Sequence, residues 1–173
     1  MSATLGKSLG ILLLLGSVWC SAQQKVPLGS RLKLHWHGSS VRFIEDRRAH
    51  EISIKGLFDA VELDSVKLQS ATQSKGFIYL LLDVEGPSKL PRDSHECGAG
   101  SESNLVWLKL DLDWKVLSAN KFRYDSCWAS ISAIDPPLWA GDTLTVTTEN
   151  KVVTYSYRRP EEGLKIANSV PAK

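Results

Sequence analysis

The sequence predicts a mainly β protein: a single antiparallel domain, sandwich or barrel-like, closed by one disulfide. Three observations carry that expectation. About ten short runs, alternating with period two or rich in Val, Thr and aromatic residues, follow one another without a long amphipathic helix between them. An amino-terminal leader of export type precedes them, and two cysteines remain once it is set aside.

The leader is residues 1–22. Lys7 is its one cation, the apolar run from Leu9 to Trp19 follows, and Cys20-Ser21-Ala22 supplies small residues before polar Gln23. Charged, apolar, small is the order that a signal peptidase reads, so cleavage is expected after Ala22. The apolar run is well below the roughly 20 residues that span a bilayer, so no stable membrane span is expected. The competing expectation is a lipid anchor on Cys20. Trp19 stands where such processing wants a small residue.

Cleavage removes Cys20 and leaves Cys97 and Cys127, an even number in a chain bound for an oxidising compartment, periplasmic or secreted. A bond between them would close a loop for which chain entropy gives about 3 to 4 kcal/mol. Their spacing is far from the Cys-x-x-Cys of redox sites, so the pair reads as a staple. The formal charge of +2 falls by one with Lys7, which gives no reason to expect nucleic acid or an anionic surface as partner. No Asn stands in an Asn-x-Ser/Thr context.

The region 23–160 reads as one β-rich domain. After a lead-in over 23–30, residues 31–37 alternate strictly between polar and apolar, a half-buried strand with Trp36 in phase with Leu32 and Leu34. Strands are expected at 41–44, 50–55, 61–68 and 76–84. The last is apolar on both faces, so it should be the central strand, covered on each side. Residues 86–103 have no periodicity and read as a long surface loop pinned by Cys97, and such loops are often functional. The runs 104–112 and 116–124 flank Asp113-Trp114-Lys115 as a hairpin. Residues 126–134 form a further strand candidate, and 143–148 with 151–157 form the last hairpin. The end, 161–173, has little apolar content and is expected to fray.

Few residues suggest chemistry. In the long loop, Asp93, His95 and Glu96, with Ser101 nearby, include types that acid–base or nucleophilic catalysis uses. Ser101 fails the Gly-x-Ser-x-Gly spacing, so a small hydrolase based on His95 is the alternative and not the lead. His35 and His37 share a strand face with Arg31 and Lys33, which oppose a metal cation, and no metal site or cofactor is expected. Trp114 at a turn and Trp139 beside Pro136-Pro137 are the aromatics expected to be exposed, where they could stack on a glycan or enter a partner's pocket. The function these features favour is an exported, non-catalytic binding or interaction module. It would use the loop with Asp93, His95 and Glu96, or Trp114 and Trp139, to recognise or inhibit another exported protein. A glycan-binding domain is a further alternative.

Overall fold

The computed structural model describes residues 26–28, 32–88 and 100–172. Among these residues it is mainly β, with antiparallel pairing throughout and no α-helix. No described helix is long and apolar enough to cross a membrane. The strands are β1 (Val26–Pro27), β2 (Leu32–His37), β3 (Ser40–Glu45), β4 (Arg48–Ser53), β5 (Ser65–Ser74) and β6 (Phe77–Pro87). They continue with β7 (Ser101–Leu110), β8 (Val116–Ser126), β9 (Leu138–Ala140), β10 (Thr143–Thr147), β11 (Lys151–Ser156) and β12 (Lys165–Pro171).

Three sheets result. A five-stranded sheet runs β1-β5-β6-β7-β8, a three-stranded sheet β2-β3-β4, and a four-stranded sheet β12-β11-β10-β9. The five-stranded sheet is central because β6 and β7 are apolar on both faces. Ile78, Leu80, Leu82 and Val84 of β6, with Val106, Leu108 and Leu110 of β7, pack against Val41, Phe43 and Ile52 of the three-stranded sheet. The alternating positions Tyr79, Leu81, Leu105 and Trp107 meet Leu144, Val146, Tyr157 and Leu164 on the carboxy-terminal side. Each large aliphatic side chain so buried stabilises the fold by about 1.5 to 3 kcal/mol. The doubly apolar pattern of residues 76–84 therefore reflects two cores on one strand, as expected for a strand covered on each side.

Several expectations need correction. The run 61–68 enters its strand only at Ser65, because residues 61–64 cross the end of β6. There Val61 N–H donates to the Pro87 carbonyl at 3.0 Å, and Asp64 N–H to that of Glu85 at 2.9 Å. That crossing depends on Gly86, since a Cβ there would stand 1.9 Å from the Glu62 carbonyl oxygen. Of the run 126–134, Ser126 ends β8 and residues 127–134 form turns with isolated bridges in place of a further strand. Local side chains capture the backbone there: Ser126 Oγ accepts from Ala129 N–H and Asp125 Oδ1 from Ala133 N–H. The tail does not fray over its described length, for β12 pairs with β11 from Lys165 to Pro171, and the backbone ladder holds it although its side chains are exposed.

The aromatics also change places. Trp36 is 39% exposed, because β2 is an edge strand whose far end passes beyond the core, and its indole N–H donates to the Leu63 carbonyl at 3.1 Å. Trp114 is buried at 7% exposure. Asp111 Oδ1 accepts from the N–H groups of Asp113 and Lys115 and tightens the turn, so that Trp114, at φ 64°, folds its ring inward. The ring lies on His50, 4.4 Å between centroids and 9° from parallel, and beside Phe43.

Candidate functional site

Trp139 is the sequence-predicted aromatic that lines a cleft. It lies on β9, which forms a tight hairpin with β10 through Gly141-Asp142, pairing Trp139 with Leu144 and Ala140 with Thr143. Gly141 takes φ 63°, the left-handed conformation that such a turn requires. The hairpin leaves Trp139 half-buried at the rim of a cleft of about 360 Å³ between the central and carboxy-terminal sheets.

The opposite wall comes from β5. Gln69 is the extra residue of a β-bulge: Leu68 pairs with Leu82 and Ser70 with the next partner, Leu81, leaving Gln69 unmatched. A bulge interrupts the two-residue alternation, so consecutive side chains can face one way. Gln69 and Ser70 accordingly both line the cleft, together with Thr72. Trp139 Nε1 donates to Gln69 Oε1 at 2.8 Å, and Gln69 Nε2 donates to Asp83 Oδ2 at 3.2 Å. Tyr124 O–H donates to the other oxygen of Asp83 at 2.6 Å. This chain runs from the cleft to a smaller one of about 190 Å³ on which Asp83 and Tyr124 open. The Gln69 amide can satisfy both neighbours in only one orientation, so the relay sets the plane of the Trp139 ring.

Tyr157 closes the floor. It is 5% exposed, meets Trp139 at 73° with centroids 6.0 Å apart, and its hydroxyl has no hydrogen-bond partner among the described residues. Burial raises the Tyr157 pKa, although Ser70 lies near enough to moderate the effect. Burial, then the Asp83 hydrogen bond and charge, raises that of Tyr124. Trp107 Nε1 donates to the Pro160 carbonyl at 2.8 Å and holds the remaining wall, where the 3-10 turn Pro160–Glu162 begins.

The other expected residues do not join this site. Asp93, His95, Glu96 and Cys97 lie outside the described residues. Cys127 is disulfide-bonded. Ser101 Oγ donates to Asp125 Oδ2 at 3.0 Å. His35 and His37 are exposed on β2, and no group of three His, Cys, Asp or Glu that could hold a metal occurs among the described residues. Trp114 belongs to the core and is corrected as a surface candidate.

Gln69, Asp83, Tyr124 and Tyr157 were not anticipated. One signal was present: the apolar positions of β5 shift from even, Val66 and Leu68, to odd, Ala71, which marks a bulge between them. No family model, curated protein or solved structure matches the chain.

Proposed function

We propose that this chain is an exported, non-catalytic binding module whose ligand seat is the cleft between Trp139 and Gln69. The observation that carries this is a half-buried indole held in one plane by the Gln69–Asp83–Tyr124 relay, above a buried Tyr157 hydroxyl without a partner. Ordered aromatic surface beside a few convergent polar groups is the usual make-up of a small-ligand site, and about 360 Å³ falls at the lower end of their range. Fixing the ring before binding lowers the entropy lost on association.

Export and oxidation belong to the same reading. Cleavage after Ala22 delivers the domain to the periplasm or the medium, and Cys97 is the partner of Cys127. We take the closure to be of sandwich type, which is supported by the two unpaired edge strands that each sheet keeps among the described residues. The connection between β6 and β7, shorter than the expected 86–103 because Gly86–Pro87 and Ser101–Ser103 are paired strand, carries Asp93, His95 and Glu96 and remains the route by which an exported protein would be recognised. It is supported by the pairing of Ser88 N–H with the Gly100 carbonyl at its base.

The test is a titration of the mature protein with neutral saccharides, amino acids and short peptides, followed by tryptophan fluorescence and melting temperature. Saturable quenching that Trp139→Ala abolishes is the expected result. If none of these probes changes either signal, the cleft is not a ligand seat for small molecules of those classes and the proposal falls. Intact mass and the first residue of the exported protein test the leader, with acylated Cys20 or retained Met1 as the contrary results.

A further inference from the structure

Resting on the cleft reading above, we infer that the ligand is an uncharged, hydroxyl-rich ring, a neutral pyranose sugar or the end of a glycan built from them. Four features of the cleft select this class.

The Trp139 N–H is already bonded to Gln69, so the indole has no donor left and offers a ligand only ring surface. The face of such a ring is the negative pole of its quadrupole, which attracts the weakly positive C–H groups along one side of a pyranose. The polar groups around it are mostly hydroxyls: Ser70, Thr72 and Tyr157. A hydroxyl both donates and accepts, as do the hydroxyls of a sugar, so each can match its partner in either sense.

Charge narrows the class further. Among the described residues no Lys or Arg lines the cleft, so an anionic group entering it would lose hydration without a counter-charge. Asp142, on the hairpin turn beside Trp139, is the one carboxylate among the described residues that line the cleft and can accept from two neighbouring hydroxyls at once. Finally, the Tyr157 hydroxyl is buried beside the Ser70 side chain at the floor of the cleft and forms no close hydrogen bond among the described residues. A ligand hydroxyl is the partner that fits, because a phenol both donates and accepts.

The experiment is calorimetric and fluorescence titration of the mature protein with methyl glucosides, galactosides and mannosides, N-acetylglucosamine, maltose and cellobiose. Glucose 6-phosphate and the dipeptide Gly-Tyr are run beside them, on wild type, Trp139→Ala and Tyr157→Phe. Binding of at least one neutral sugar is expected, with the phosphorylated sugar more than tenfold weaker. Tyr157→Phe should lose about tenfold in affinity for the bound sugar, since the hydroxyl it removes is made for the ligand. Its unfolding midpoint without ligand should fall little, because only the weak approach of Ser70 is lost.

Contrary results separate the two levels. Quenching by Gly-Tyr or by the phosphorylated sugar alone overturns the sugar class and leaves the cleft as a seat for something else. Sugar binding that survives Trp139→Ala overturns both. A drop in the ligand-free stability of Tyr157→Phe, with sugar affinity unchanged, shows the hydroxyl to be structural and overturns its assignment.

Discussion

Removing one oxygen, in Tyr124→Phe, tests whether Asp83 is the anchor of the relay that orients Trp139. Tyr124 donates to Asp83 at 2.6 Å, both residues are buried, and the second bond to Asp83, from Gln69, is longer at 3.2 Å. A buried hydrogen bond to a charged group contributes about 1.5 to 3 kcal/mol, so the variant should lose about 2 kcal/mol. With a urea dependence of about 2 kcal/mol per molar, the midpoint falls by about 1 M. A double-mutant cycle with Asp83→Asn should show non-additivity of at least 0.5 kcal/mol, as expected for groups in direct contact. Alkali gives a second readout. Burial, with the Asp83 bond and charge, raises the Tyr124 pKa, so its contribution is complete below the unfolded value of about 10 and is lost as pH rises through the folded one. The gap between wild type and Tyr124→Phe should therefore narrow above about pH 10. Equal urea midpoints, or an additive cycle, would refute the relay.

The remaining expectations concern the frame around the cleft. Trp114→Ala opens a cavity between two sheets and should cost about 3 to 5 kcal/mol in urea unfolding, where a surface tryptophan would cost little. Gly86→Ala drives a methyl group to 1.9 Å from the Glu62 carbonyl oxygen, and a loss of about 1 to 3 kcal/mol is expected by the same assay. An unchanged midpoint there would mean that residues 61–64 do not cross β6. Burial alone would raise the Asp59 carboxyl, but Arg123 and Lys121 together outweigh it and hold the group below its ordinary value. The stabilisation from Asp59 is therefore present above about pH 4 and lost as pH falls below it, so Asp59→Asn should flatten the acid limb of a stability–pH curve. The effect at neutral pH should stay below about 1 kcal/mol and shrink with salt. Cys127→Ser should lower stability by about 2 to 5 kcal/mol, and peptide mapping under non-reducing conditions should recover Cys127 joined to Cys97.

Much of the fold was legible because the signals are local. The alternation of residues 31–37, the doubly apolar run at 76–84 and the paired runs around Asp113-Trp114-Lys115 each became strands or hairpins, since period and turn chemistry act over a few residues. Errors fell where an element's neighbours mattered more than its own pattern. Trp36 carries the phase of a core residue on a strand that overhangs its core, and Trp114 sits in a turn whose Asp111 bonds rotate it inward. From Lys165 to Pro171 the side chains give no burial signal, because β12 is held through its backbone pairing.

The site divides in the same way. Trp139 was one of two tryptophans that the sequence offered as exposed, beside Trp114, being next to a proline pair. Its partners could not be read there. Gln69, Asp83, Tyr124 and Tyr157 are far apart in the chain and of types common on any β surface, and only the stacking of two sheets at a bulge gathers them. Sequence alone thus determined that the chain is β-rich and antiparallel, and where its central strand lies. Tertiary structure decided which polar groups converge and which tryptophan is buried, because hydrogen bonds and ring contacts form between elements whose separation along the chain carries no local trace.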